Sequence, residues 1–151
     1  MLPPREAPLA AVLDTNVVLD LLVFEDPQLR PLLAALESGA LTAWADAATL
    51  AELQHVLAYP SFALDVATQR ACMQRYAERV RTLATGGGAP VPALPRCADR
   101  DDQKFLELAA RAGAAWLVSR DKQLLQLRGW SSLPFLILRP REAVERVQAS
   151  R

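Results

Sequence analysis

Four acidic side chains occupy positions from which their carboxylates could meet, namely Asp14, Glu52, Asp102 and Asp121. Asp14 and Asp121 each follow an apolar run typical of a buried strand. Because the carboxyl ends of parallel strands share one edge of a sheet, we expect these two carboxylates at the same edge. Asp102 heads a predicted helix and Glu52 lies beside the buried stripe of another, so both can reach the same edge.

Four carboxylates with no histidine or cysteine among them make a site of oxygen ligands only. Such a site suits Mg²⁺ or Mn²⁺ better than zinc. Crowded carboxylates repel one another, so a cation is needed to keep them charged and close together. The expected chemistry is metal-assisted hydrolysis, in which the site activates a water molecule and offsets the negative charge that develops on a phosphodiester.

Each of the four acids also has a structural explanation. Asp14 and Asp121 could cap helices that begin directly after strands. Asp102 could satisfy the first turn of its helix, and Glu52 could pair with an arginine. The sequence alone leaves these explanations open for each residue taken singly.

Three acids stand together where one helix is predicted to begin, at Asp99, Asp101 and Asp102. Leu106 and Ala109 follow Asp102 at helical spacing, so its carboxylate heads a stripe that otherwise faces the core. A charge placed there must meet a metal, a cation or water. Asp99 and Asp101 are more easily explained as a helix cap and as partners of the helix dipole. We therefore place Asp102 in the site, with Asp99 in a supporting position.

The 151 residues, 52% of them hydrophobic, predict a single domain with one sizeable core. No apolar run is long enough to span a bilayer, and the N-terminus lacks the features of a signal peptide, so we expect a cytoplasmic protein with no membrane contact. Residues 1–8 are expected to form a flexible extension. Cys72 and Cys97 belong to no paired motif and are expected to be reduced, one in a helix and one in a loop.

The net charge of zero hides a division along the chain. Residues 1–66 carry two basic and nine acidic residues, whereas residues 67–151 carry fifteen basic and eight acidic ones. The second half therefore predicts an electropositive surface that could face phosphate, and thirteen of its cations are arginine, which forms forked contacts with phosphate. The candidate nucleic-acid contacts are Arg75, Arg79, Arg100, Arg120 and Lys122.

Strands alternate with helices along the whole chain. The predicted strands cover residues 11–14, 41–44, 115–119 and 134–138. The predicted helices cover residues 16–23, 28–37, 47–59, 61–83, 102–113, 121–127 and 141–147. A loop rich in glycine and proline crosses residues 85–95, and the three tryptophans are expected in the core. The alternation predicts a three-layer α/β/α fold with a largely parallel central sheet of four or five strands.

Four segments together resemble the motifs of the PIN-domain nucleases, and in particular those that act as the toxin of prokaryotic toxin-antitoxin pairs. They are residues 12–16 (VLDTN), residues 51–53 (AEL) with 56–57 (VL) and 60–62 (PSF), residues 99–109 (DRDDQKFLELA), and residues 117–125 (LVSRDKQLL). The resemblance covers almost the full length of the chain. It implies a PIN-like fold over residues 1–151.

The resemblance also implies an activity. Asp14, Glu52, Asp102 and Asp121 would be the catalytic, metal-binding acids for Mg²⁺ or Mn²⁺. Asn16 and Ser119 would be polar neighbours that orient acids, water or substrate. Family members of this kind cleave RNA, often form homodimers, and are inhibited by a small antitoxin protein when the two are paired in an operon.

Three other functions compete with this one. A haloacid-dehalogenase-type phosphatase also opens with a strand that ends in aspartate, but it needs a second aspartate where Asn16 stands, and a lysine, for which the chain offers only Lys104 and Lys122. A non-catalytic module that binds RNA or protein would use the acids structurally. A metal-dependent nuclease acting on DNA would show the same charge pattern, which reflects phosphate and not sugar. His55, the only histidine, is expected to be solvated or capping, because this chemistry requires no imidazole base.

Overall fold

A parallel five-stranded sheet forms the centre of the computed structural model, which describes residues 9–91 and 93–149. The strands are β1 (Leu9–Leu13), β2 (Leu41–Ala45), β3 (Val80–Thr82), β4 (Trp116–Val118) and β5 (Leu136–Leu138). They lie in the order β3-β2-β1-β4-β5, and every neighbouring pair is parallel. Because β1 is central, the residue that follows it emerges in the middle of the carboxyl edge. The predicted extension at residues 1–8 lies outside the described residues.

Helices cover both faces of this sheet. Within the described part of the chain they are α1 (Thr15–Leu22), α2 (Arg30–Ser38), α3 (Ala47–Leu57), α4 (Val66–Ala77), α5 (Arg100–Arg111), α6 (Lys122–Leu125) and α7 (Pro140–Ala149). Helices α5 and α6 pack on one face, and the core on the other face is built from α1, α2, α3, α4 and α7. The predicted three-layer α/β/α fold is confirmed.

Side chains of the central strand alternate between the two faces. Ala11 and Leu13 belong to one buried cluster and Val12 to the other. Leu117 and Val118 of the neighbouring strand alternate in the same way. A strand covered on both sides has no solvent-facing positions, which is why these segments read as continuous apolar runs.

Several predicted helix boundaries are confirmed by their caps. Asp26 accepts a hydrogen bond from the backbone N–H of Gln28 at 2.9 Å and starts a short 3-10 turn at Pro27–Leu29. Asp46 accepts a hydrogen bond from the backbone N–H of Thr49 at 2.9 Å and caps α3. Gly39 ends α2 with φ 84°, a left-handed conformation that glycine adopts without a steric penalty.

The long helix predicted over residues 61–83 is wrong. The structure has a 3-10 turn at Pro60–Phe62, then α4, and the segment ends in the edge strand β3. Ala63, with φ 51°, interrupts the helical path, and β3 pairs with β2 because an open sheet edge satisfies its backbone better than a further helical turn would. The buried residues of α4 are Cys72 and Tyr76. Val66, the first residue of α4, is 60% exposed.

The expectation that all three tryptophans lie in the core is wrong for Trp130, which is 53% exposed, whereas Trp116 is buried.

Cys72 lies in α4 and Cys97 in a loop, and within the described residues both are free thiols, as predicted. Gly88 lies against the end of α5, where a Cβ atom would come within 2.2 Å of the Arg111 carbonyl oxygen. None of the described helices is long and apolar enough to cross a membrane.

Candidate metal centre

Ser119 joins the two acids that follow the adjacent strands β1 and β4. Its hydroxyl donates a hydrogen bond to Asp14 Oδ2 at 2.6 Å and accepts one from the backbone N–H of Asp121 at 2.9 Å. Ser119 is fully buried and Asp14 is 4% exposed. The parallel pairing of β1 with β4 therefore brings both acids to one point on the carboxyl edge of the sheet.

Asp102 enters the same point from the first turn of α5. One carboxylate oxygen from each of Asp99, Asp102 and Asp121 lies within 4.8 Å of the other two. Asp99 caps α5 by accepting a hydrogen bond from the backbone N–H of Asp101 at 2.9 Å. Asp102 is buried, whereas Asp101 is exposed. The structure thus places Asp102 and Asp99 in the acidic group and turns Asp101 toward solvent.

The capping explanations hold for one strand-end acid and not for the other. Asp121 accepts a hydrogen bond from the backbone N–H of Gln123 at 2.8 Å and caps the short helix α6. Asp14 occupies the position before α1, but within the described residues its side chain makes no capping hydrogen bond. Its carboxylate is therefore available for a role other than capping.

Burial and mutual repulsion raise the pKa values of the central acids. Burial raises the pKa of Asp14, the hydrogen bond from Ser119 partly opposes this, and the charges of Glu52 and Asp121 raise it further. Burial also raises the pKa of Asp102, to about 8, with hydrogen bonding to Asp121 and the charges of Asp121, Asp14 and Asp99 acting in the same direction. The metal-free group therefore holds a proton at Asp102 near neutral pH.

Glu52 stands apart because it already has a cationic partner. Lys104 Nζ lies 2.7 Å from Glu52 Oε1, and the Thr15 hydroxyl donates a hydrogen bond to Glu52 Oε2. Because Thr15 directly follows Asp14 in the chain, its hydrogen bond holds Glu52 near Asp14, at the edge of the acidic group. The alternative explanation for Glu52 was a pairing with an arginine, and in the structure its cationic partner is a lysine.

This group of residues fits a divalent cation. The buried Oδ2 of Asp102 has no hydrogen-bond partner among the described residues, and it belongs to a set of converging carboxylates. Oxygen donors of this kind suit Mg²⁺ or Mn²⁺. A cation held there would relieve the repulsion that raises the pKa of Asp102.

Thr15 and Lys104 are the two residues of this site to which sequence reasoning gave no role in it. Thr15 shows a weak signal, because a small hydroxyl residue follows the strand-end aspartate. Lys104 shows no such sequence signal, since its partner Glu52 lies far earlier in the chain and no helical spacing links the two residues. His55 is exposed, as expected.

The candidate nucleic-acid contacts fall into two groups. Arg100, Arg120 and Lys122 are exposed next to members of the acidic group. Arg75 and Arg79 instead approach Glu37 Oε1, at 3.5 and 3.9 Å respectively. The first group alone lies beside the candidate metal ligands in the chain.

Comparisons with known proteins agree with this architecture. Residues 10–123 match the family model of the PIN domain. A structure of VapBC2 from Rickettsia felis bound to a DNA fragment from their promoter has a TM-score of 0.59 and 13% identity, and the match covers 87% of this chain and 98% of that chain. The structure of PAE2754 from Pyrobaculum aerophilum has a TM-score of 0.60 and 15% identity, with 93% and 96% of the chains covered. No curated protein matches the sequence. Since the family model matches well over half of its length, the chain belongs to the PIN domain family.

Proposed function

We propose that this protein is a divalent-metal-dependent endoribonuclease. Membership of the PIN domain family supports a nuclease that hydrolyses phosphodiester bonds. The observation that carries the proposal is the convergence of Asp99, Asp102 and Asp121 within 4.8 Å, at a position where the buried Asp102 Oδ2 lacks a partner among the described residues. Buried acids without compensation are costly unless they bind a cation.

Each side chain has a separate part in this proposal. Asp102 and Asp121, which converge with Asp99, would hold the cation, Mg²⁺ or Mn²⁺, together with Asp14, and Glu52 would complete the set of acids near Asp14. When bound, such a cation activates water and offsets charge on the phosphodiester. Ser119 fixes the Asp14 carboxylate through its 2.6 Å hydrogen bond. Asn16 is exposed at the rim, where it can orient substrate or water.

Cleavage of matched single-stranded RNA and DNA oligonucleotides tests the proposal. Purified protein is incubated with Mg²⁺, with Mn²⁺ or with chelator, alongside Asp14→Asn and Asp121→Asn. We expect metal-dependent cleavage of RNA that both substitutions abolish. Asp65→Asn is a suitable control, because Asp65 is an exposed cap of α4 outside the acidic group.

The outcomes separate the competing functions. Cleavage of DNA in place of RNA would keep the metal centre and change the substrate class. RNA binding that survives both substitutions, without cleavage by the wild type under any metal condition, would favour a non-catalytic binding module. Cleavage that persists in chelator would contradict the metal-dependent mechanism.

We also propose that the protein is the toxin of a toxin-antitoxin pair and acts as a homodimer in the cytoplasm. The motif resemblance described above and the likeness in fold to a VapBC2 structure support a small antitoxin partner. Co-expression with a small protein encoded by the adjacent gene should relieve growth inhibition and block RNA cleavage. Light scattering of the purified chain tests the dimer, which predicts twice the chain mass of 16.5 kDa.

A further inference from the structure

A pocket lies beside the acidic group and includes one of its residues, Asp121. This side pocket has a volume of about 270 Å³. Its lining combines the polar side chains of Asn16 and Asp121, the cation Arg120, and the aromatic rings of Phe24 and Phe62. The side pocket and the acidic group are therefore direct neighbours, because Asp121 belongs to both.

One side of the pocket begins a row of contacting aromatic rings. The Phe24 and Phe62 ring centroids are 5.7 Å apart, and the Phe62 and Tyr59 rings stack with centroids 6.1 Å apart and an angle of 8°. Phe24 is 53% exposed and Tyr59 is 42% exposed. Single exposed apolar residues are common on protein surfaces, but a continuous exposed row beside a charged site indicates a binding surface.

The pocket lining also includes a cation, Arg120, which is paired with a buried acid. The Arg120 guanidinium forms an ion pair with Asp20, which is 9% exposed and lies on α1. Half of the Arg120 side chain, 53%, remains exposed. Because Arg120 directly precedes Asp121, its remaining N–H groups are offered to an anion next to the acidic group.

We propose that the side pocket binds an unpaired base of the substrate strand, which stacks on one of the two tilted rings of Phe24 and Phe62 and has its edge against the other, while Arg120 contacts the adjoining phosphate. A nucleotide combines a flat apolar face with an anion, which are the two features that this pocket presents together. Bases in a duplex have their faces covered by stacking, so the pocket selects single-stranded nucleic acid. The inference rests on the proposed function, because it treats the acidic group as the place where the phosphodiester is cut.

Binding of labelled single-stranded RNA tests the pocket separately from cleavage. Anisotropy is measured with Mg²⁺ on an Asp14→Asn background, so that the strand stays intact. Phe24→Leu and Phe62→Leu keep an apolar side chain but remove the ring, and each should weaken binding by about 5- to 10-fold. Trp130→Leu is the matched control, because Trp130 is also 53% exposed but lines another pocket, and it should leave binding unchanged.

A set of oligonucleotides with one abasic site at each position completes the test. One abasic position should weaken binding to the Asp14→Asn protein by about the same factor as Phe62→Leu does. Combining that abasic position with Phe62→Leu should add little, because both changes remove the same stacking contact. Losses that multiply at every position would overturn the proposal, as would normal binding by both phenylalanine variants.

The two proposals fail in different ways. Ring-dependent and base-dependent binding without metal-dependent cleavage by the wild type would uphold the side pocket and contradict the nuclease. Metal-dependent cleavage, together with RNA binding that neither phenylalanine substitution weakens, would uphold the nuclease and contradict the side pocket. Normal RNA binding by the phenylalanine variants together with weakened inhibition by an antitoxin would assign the row to a protein partner.

Discussion

Asp46 and Asp102 are both buried acids near the carboxyl edge of the sheet, but their surroundings differ. They are 9% and 7% exposed, respectively. Asp46 follows β2, caps α3 through Thr49, and has Arg111 Nη2 2.9 Å from its Oδ2. Asp102 faces other acids, and its Oδ2 has no hydrogen-bond partner in the described part of the chain.

Burial and position therefore do not distinguish a structural acid from a candidate ligand. What distinguishes them is whether a cationic side chain in the fold offsets the charge of the carboxylate. The charge of Asp46 is offset by Arg111 within the fold, so this acid can stay buried and charged without a bound cation. Among the described residues, Asp102 has no such cation. Burial, and then its contact with Asp121 and the charges of Asp121, Asp14 and Asp99, raise its pKa to about 8, and a position for a cation remains.

The largest expected effect is on cleavage. Asp102→Asn should lower the rate of RNA cleavage by at least about 100-fold, because it removes a ligand charge from the metal centre. Asp46→Asn, which is equally buried and keeps a capping side chain, should stay within about threefold of the wild type when assayed well below its melting temperature. Single-turnover cleavage at saturating Mg²⁺ measures both. Equal losses in the two variants would remove the distinction between the two acids.

The next largest effect is on stability. Arg111→Met leaves the Asp46 carboxylate partly buried without its cation and should lower the free energy of unfolding by about 2–3 kcal/mol. Asp102→Asn removes repulsion and should cause no such loss. Urea denaturation at pH 7 in chelator measures both variants against the wild type. An Asp102→Asn protein that is as destabilised as Arg111→Met would mean that Asp102 is itself a structural acid.

A smaller effect should depend on pH. Because the pKa of Asp102 is raised in the fold from 3.8 to about 8, the proton bound there stabilises the metal-free protein at low pH, and this stabilisation is lost progressively as the pH rises from about 4 to about 8. Asp102→Asn does not titrate, so its advantage over the wild type should grow by about 1–3 kcal/mol between pH 6 and pH 8 and then level off. Thermal or urea unfolding in chelator across this range tests the trend. A constant difference would contradict the raised pKa.

The smallest effect should concern Glu52, whose charge is already offset by Lys104 at 2.7 Å. Glu52→Gln should weaken Mn²⁺ binding by about two- to fivefold, whereas Asp102→Asn should weaken it by about tenfold or more. Isothermal titration with Mn²⁺ gives both values. A larger loss for Glu52→Gln would place Glu52 at the centre of the metal site and Asp102 at its margin.

The sequence predicted the parts of the fold that local chemistry decides. The runs before Asp14 and Asp121 are apolar without interruption, since both faces of their strands are covered, and the caps Asp26 and Asp46 mark the starts of their elements. β3 was missed because three residues at a sheet edge carry little periodicity of their own. Their pairing with β2 depends on a contact that is distant in sequence.

The site shows the same division between local and distant information. The convergence of Asp14, Asp102 and Asp121 followed from strand direction and helix stripes, which are local patterns. The Glu52–Lys104 pair and the Asp20–Arg120 pair join residues from distant segments. No spacing rule predicts these two pairs, so only the three-dimensional structure shows them.

Metal binding by folded protein tests the difference between the two acids most directly. Mn²⁺ is titrated calorimetrically into the wild type, Asp102→Asn and Asp46→Asn at pH 7 in two buffers of different ionisation enthalpy. We expect the wild type and Asp46→Asn to bind Mn²⁺ with release of a proton, because Asp102 is protonated in the metal-free protein. We expect Asp102→Asn to bind at least about tenfold more weakly and without that proton. Mn²⁺ binding by Asp102→Asn equal to that of the wild type, or no binding by the wild type, would contradict the assignment of this acidic group as the metal centre.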